Sequence, residues 1–405
     1  MKRRDLLQLG LTTAATALPA TRLWAAPAPG APKLLVVFLR GAYDAANLLV
    51  PYGTDFYYES RPNIAVPRPD SGPQAALRLD DAWALAPAVA DSLLPLWQRG
   101  QLAFVPFAGT ADTSRSHFET QDHIELGGSD NGPRDFRSGF MNRLATVLGT
   151  GLGSTRLEAM AFTDQVPLIL RGPTPVANQA LRELGKPLLT APQADAITRM
   201  YAGTRLAGTV SGGFEVRETV SREMTEMAGE MEAASRNAIA AKGFAVEARR
   251  IARLMRERVT LGFVDVGGWD THVAQGGASG ALANRLGELG RGLAAFADAM
   301  GPQWGQTTVV VLSEFGRTFR ENGNRGTDHG HGSAYWVLGG GVRGGRIAGE
   351  QIALSAATLF QNRDWPVLTD YRALLGGLMR RLYGLNDGQL AAIFPGARAQ
   401  DLALV

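Results

Sequence analysis

The chain contains five histidines, His117, His123, His272, His329 and His331, and no cysteine. Without thiolates, a metal would have to be held by nitrogen and oxygen donors, which suits Zn, Mn or a similar divalent ion. Disulfides and a cysteine nucleophile are excluded together. In GGWDTH, Asp270 and His272 stand two residues apart. Extended backbone puts both on one face, where they can approach one cation. TDHGHG adds Asp328, His329 and His331, and Gly330 and Gly332 let the chain fold tightly there. A polar turn or a surface loop accounts for either stretch alone; together they favour a metal site. SEFGRT supplies Ser313, Glu314 and Arg317. Glu314 suits a ligand or a base and Arg317 an anion clamp, and a buried Glu–Arg pair accounts for the same residues. Asp44, with Asn47 nearby, follows the first apolar run. RSHFETQD places Arg115, Ser116 and His117 at the start of a helical pattern, with Glu119 three residues after Ser116. Free N–H groups there favour negative charge, so Ser116 suits a nucleophile attacking a phosphate or sulfate, or a plain N-cap.

The elements that must position these residues alternate along the chain. Strands are expected at Lys33–Leu39, Leu102–Phe107, Leu157–Phe162, Val166–Leu170, Thr260–Val266, Thr307–Leu312 and Tyr335–Leu338. Helices are expected at Pro87–Gln98, from Ser116, at Phe140–Leu148, at Ala281–Met300 and at Leu368–Tyr383. In Ala281–Met300, Leu282, Leu286, Leu289, Leu293, Phe296 and Met300 recur at helical spacing. Residues 51–82 read as loop. The Ala/Met-rich stretch from Glu215 to Arg258 reads as two helices broken near Gly243, within a helical insertion near 190–258. Continuous apolar strands between helices imply an α/β fold, a mainly parallel sheet covered on both faces. Ligands in such folds gather beyond the carboxyl ends of the strands, where the polar residues named above sit.

With 45% hydrophobic and 20% charged residues among 405, the chain is neither disordered nor coiled coil. No apolar run reaches the roughly 18 residues of a membrane span. The formal net charge of +3 equals the charge of residues 1–25, which hold Lys2, Arg3, Arg4 and Arg22 against Asp5. The neutral remainder gives no basic surface for nucleic acid. Residues 1–28 have a basic start, a weak apolar stretch from Leu6 to Leu18 and an Ala/Pro-rich exit. That is the plan of a twin-arginine export signal around Arg3-Arg4, cleaved between Ala25 and Ala28. The expected product is a single domain over 29–405, periplasmic or secreted, with the twin-arginine translocase as a partner.

The stretches FLRGAYDAANLLVPY, RSHFETQD, VDVGGWDTH, LSEFGRT and GTDHGHGSAYWVLGGGV, between residues 37 and 342, resemble the domain of unknown function 1501 family. That family is similar in plan to the alkaline phosphatase and sulfatase superfamily. The resemblance implies a three-layer α/β/α sandwich with one or two divalent metals at the strand ends. It implies Asp44, Asp270 and His272 as ligands and Ser116 as nucleophile, with Thr113 and Ser114 as competitors. Where the superfamily plan has an Asp-His pair, this chain has Glu314-Phe315, and Asp328, His329 and His331 are left to compensate. Arg115 or Arg317 would clamp the substrate's oxygens. The implied activity is metal-dependent hydrolysis of a phosphate or sulfate ester, small or polymeric. The alternative is a binding or assembly protein that keeps the fold without the chemistry.

Changing Arg3 and Arg4 together to lysine is expected to leave the uncleaved precursor in the cytoplasm, read by fractionation and immunoblotting. Normal export of that variant would remove the twin-arginine assignment.

Overall fold

Alternate residues of β1 (Lys33–Leu39) feed two different cores. Leu35, Val37 and Leu39 pack on one face of the sheet, and Leu34, Val36 and Phe38 on the other. A strand buried on both faces is the reason Leu34–Leu39 is apolar throughout rather than alternating. The computed structural model describes residues 30–129, 132, 134–151, 159–180, 191–208, 210 and 243–405. The expected export signal lies outside them.

Three short strands, β2 (Leu49–Val50), β3 (Leu77–Arg78) and β4 (Ala84–Leu85), make a small antiparallel sheet in the order β2-β4-β3. The main sheet joins β1 to β5 (Leu102–Gly109), β6 (Ala159–Ala161), β7 (Ala177–Asn178), β8 (Leu261–Val266), β9 (Thr307–Ser313), β10 (Ser333–Gly339), β11 (Arg346–Ile347) and β12 (Thr369–Asp370). Its order is β11-β5-β10-β9-β1-β8-β6-β7, with β12 also on β5. Only β10 runs antiparallel to its neighbours. Helices Phe244–Glu257 and Ala281–Met300 cover one face, burying Ile251, Met255, Leu286 and Leu293. Helices His117–Leu126, Phe140–Gly151, Tyr371–Tyr383 and Asp387–Ile393 cover the other, burying Ile124, Leu144, Leu378 and Ile393. The described residues therefore form the expected α/β/α sandwich.

Local departures from the sequence reading have local causes. Val166–Leu170 is no strand: after Pro167 the chain forms a 3-10 turn over Leu168–Leu170. The helix expected over Pro87–Gln98 divides into a 3-10 turn at Pro87–Val89 and a helix at Leu93–Gln98. Residues 51–82 contain the helix Asp55–Ser60 as well as β3. Thr369 and Asp370 pair with β5, so the last long helix begins at Tyr371, with Asp370 as its N-cap. Of the helical insertion, Ala191–Tyr201 and Phe244–Glu257 are described. The stretch from Glu215 toward Gly243 lies outside the described residues.

The register places the site. Leu39 of β1 stands opposite Val266 of β8 and Ser313 of β9, so three parallel strands end level. Strand β5 runs the same way and leads into residues 110–116. Because β10 is antiparallel, its amino end lies at that edge too, and TDHGHG just precedes it. Thus all the polar segments emerge at one edge.

There SEFGRT and TDHGHG zip together. Gly316 N–H donates to the His331 carbonyl and Gly330 N–H to the Gly316 carbonyl, both at 2.8 Å. Thr318 N–H donates to the Asp328 carbonyl at 2.9 Å. A Cβ on Gly316 would lie 1.8 Å from the Gly332 carbonyl oxygen, so only glycine permits this approach. The Gly316→Ala variant is expected to lose about 2 kcal/mol or more by forcing the two segments apart, as overpacking does. Denaturant unfolding would measure the loss; an unchanged midpoint would contradict the tight pairing.

Candidate metal centre

Arg115 begins the first wall of the site. Its φ of +53° is in the left-handed region, an uncommon conformation for a residue with a side chain. The turn aims its carbonyl at His329, whose Nδ1 lies 3.0 Å away. Ser116 then caps the helix His117–Leu126, its hydroxyl accepting from Glu119 N–H at 3.5 Å. This puts His117 at the first helical position, facing the end of β9.

Three imidazoles are anchored alike. His117 Nδ1 lies 2.8 Å from Glu314 Oε1, His329 Nδ1 3.0 Å from the Arg115 carbonyl, and His272 Nδ1 3.2 Å from Asp328 Oδ1. Each anchor is an oxygen that can only accept, so each Nδ1 donates and each ring turns its Nε2 the other way. The Nε2 atoms of His272 and His329 are 3.2 Å apart. His117 Nε2 is buried with no hydrogen-bond partner among the described residues, 3.6 Å from Asp270 Oδ2. Asp270 Oδ1 lies 2.8 Å from His272 Nε2 and 3.3 Å from His329 Nε2.

Left unprotonated, the Nε2 atoms of His272 and His329 would repel each other, and a cation between them would take both lone pairs. Four donors about 2.0–2.1 Å from a tetrahedral zinc would stand about 3.3 Å from one another. His117, His329 and Asp270 offer donor atoms that all lie within 4.8 Å of one another, and they fit a divalent ion. His272 Nε2 stands beside them, 3.2 Å from His329 Nε2 and 2.8 Å from Asp270 Oδ1. The Asp270 side chain remains 44% exposed, so the centre opens to solvent.

Charges behind the donors hold them in state. Burial pushes the Asp270 carboxyl up, but the Arg317 hydrogen bond at 2.7 Å, the Arg317 charge and those of His272 and His117 together keep its pKa below the usual range. Glu314 is fully buried and still shifted down. Bonds from His117, from Gln121 at 2.9 Å and from Gly41 N–H at 2.8 Å overcome the burial cost. The Glu314 bond in turn raises the His117 pKa. Burial lowers that of His329, and the charge at His117 adds to the effect. Asp328 is lowered mainly by its bond from the Asn322 amide. Phe315, standing where the resemblance implied a histidine, packs its ring 5.0 Å from His117 and 5.2 Å from His329.

The residues singled out from the sequence thus divide. Asp270, His272 and His329 meet. Glu314 and Asp328 stand one layer behind, accepting from the His117 and His272 rings. Asp44 faces elsewhere: Arg61 grips both its oxygens, with Nη2–Oδ1 at 3.0 Å, and Gln275 donates to Oδ2 at 2.6 Å. His331 is carried away by the chain bend before β10. It is buried beside Phe360 at 4.6 Å, and that burial pushes its pKa down to about 4. Arg317 is sealed, bound to Asp270 and Thr327. The Arg115 guanidinium is occupied by Asp364 at 2.7 Å and Gln361 at 2.6 Å. His117 was missed as a ligand, because the capping pattern around Ser116 already explained its segment. The available signal was its place beside that cap, where helix geometry turns a side chain toward the strand ends.

An Asp328→Asn substitution is expected to weaken zinc binding about 10- to 100-fold, the usual effect of losing an acceptor behind a ligand histidine. His331→Phe should leave affinity unchanged. Competition with a chromogenic chelator would measure both, and the reverse order would contradict the placement.

Among solved structures, the chain resembles a protein in the alkaline phosphatase superfamily from Vibrio parahaemolyticus, with a TM-score of 0.41 and 10% identity over 100% of this chain and 79% of that one. It also resembles Ps i-CgsB, solved in complex with k-i-k-neocarrahexaose, with a TM-score of 0.37 and 9% identity over 92% of this chain and 75% of that one. No curated protein matches the sequence significantly. The sequence model of the protein family of unknown function DUF1501 matches residues 31–394, and the chain belongs to that family.

Proposed function

We propose that the protein is an exported, metal-dependent hydrolase of phosphate or sulfate esters. The observation that carries the reading is the gathering of His117, His329 and Asp270 donor atoms within 4.8 Å of one another, with His272 Nε2 beside them. His117, His272, His329 and Asp270 would hold zinc or manganese. When bound, the ion supplies a Lewis acid that polarises an ester oxygen. A divalent ion on three neutral rings and a single carboxylate leaves the centre positive, which suits an anionic ester.

The chain's own groups do the rest. Glu314, Asp328 and the Arg115 carbonyl fix the ring orientations, and Phe315 keeps water from behind two of them. Ser116, one residue before His117 and at the helix N-terminus, is the proposed nucleophile. Its oxygen attacks phosphorus or sulfur, the alcohol leaves, and water then frees the serine. The helix N–H groups favour the negative charge that develops there. Export by the twin-arginine translocase to the periplasm or beyond belongs to the same proposal, and among the described residues no helix is long and apolar enough to cross a membrane.

One observation favours the second reading, a binding protein without turnover. Arg115 and Arg317, the two expected clamps, are both committed to carboxylates. The Ser116→Ala variant separates the readings when assayed with aryl phosphate and aryl sulfate in zinc or manganese. As a hydrolase it should lose turnover by at least a hundredfold, keep its metal and lose about 1 kcal/mol from the missing cap. A wild-type protein that binds metal without turnover supports the binding protein. An active Ser116→Ala enzyme sinks the nucleophile and moves attention to Thr113 and Ser114.

A further inference from the structure

We infer that the centre takes one divalent cation and cannot take a second, because arginine side chains already neutralise the buried carboxylate beside it. The inference rests on the metal reading above and fixes its stoichiometry.

The donors set the limit. Glu314 Oε1 accepts from Gly41, His117 and Gln121, and Oε2 accepts from Ser313 at 2.9 Å. Asp328 Oδ1 is already taken by the His272 ring and the Asn322 amide. The other buried carboxylates are taken as well: Arg115 and Arg363 hold Asp364, Arg40 holds Glu125, and Arg61 spans Asp44. That guanidinium is wholly buried and held on every side. It donates to the Phe319 carbonyl at 2.7 Å, the Thr318 carbonyl at 3.1 Å and Asn47 Oδ1 at 2.8 Å. The cavity between Asp44, Arg61, Arg317, Phe319 and Trp365 has a volume of about 10 Å³. That is room for about one water, between two fixed positive charges, and a cation is repelled from it.

The two arginines belong to one circuit. Gln275 donates to Asp44, and its carbonyl accepts from Thr327 Oγ1 at 3.0 Å. Thr327 Oγ1 accepts from Arg317 Nε at 3.2 Å, and Arg317 Nη1 holds Asp270 Oδ1. Asp270 therefore has one oxygen tied back and one turned toward His117. The donors turned to the centre are the Nε2 atoms of His117 and His329 and the Asp270 carboxylate, with His272 Nε2 beside them, a set for one ion. With one ion, the attacking and leaving oxygens of an ester cannot each have their own, so the helix N-terminus at Ser116 must carry the charge on one side.

The test is to strip the full-length protein of metal, titrate it with Zn²⁺ by calorimetry, and count bound zinc by elemental analysis after desalting. One zinc per chain is expected. His117→Ala should weaken binding at least tenfold, and Asp44→Asn should still bind one. Two zinc ions per chain would overturn the single-ion inference and leave the metal reading intact. No bound zinc would overturn both. Loss of the zinc from a folded Asp44→Asn protein would place Asp44 among the ligands and overturn the inference. Should Asp44→Asn fail to fold, the wild-type count and His117→Ala decide the matter.

Discussion

A carboxylate with no exposure to water holds this edge of the sheet together. Removing Glu314 from solvent as an anion costs several kcal/mol unless its lone pairs are met. They are met by the loop after β1 through Gly41, by the helix through His117 and Gln121, and by β9 through Ser313. Three segments distant in sequence must therefore arrive together or leave a buried charge uncompensated. One of their donors, His117, is thereby fixed with its Nε2 toward Asp270. The group that secures the packing also orients the candidate site.

Much of this was legible in the residues. The α/β/α architecture followed from apolar strands with helices between them, and the level ends of β8, β1 and β9 gave meaning to polar residues just beyond each run. Asp270, His272 and His329 were readable because each sits within a few residues of such an end. Asp44 sits at an end as well, but its partner Arg61 comes from a stretch rich in Pro, Asp and Tyr that carries no periodic signal. Long-range ion pairing of that kind leaves no trace in local spacing. His331 shows the opposite failure. Its nearness to His329 suggested a shared site, and a bend dictated by close glycine contacts sent it to another.

Phe315 stacks its ring against His117 and His329, and His117 turns its Nε2 toward Asp270 from the facing helix. That is a reason to judge the centre by where nitrogen lone pairs point rather than by matching motif letters.

The antiparallel course of β10 has a consequence for how the protein reaches its native state. The strand sits between β5 and β9, so the edge that gathers His117, Asp270, His272 and His329 is complete only when strands from both halves of the chain have paired. Those contacts are non-local, and the loop-closure entropy they require must be met before any of them forms. A cation bound there recognises the finished sheet and not the unfolded chain, and by mass action it stabilises the native state as its concentration exceeds the dissociation constant. Metal uptake would then be a late event, reporting that the two halves of the sequence have found each other.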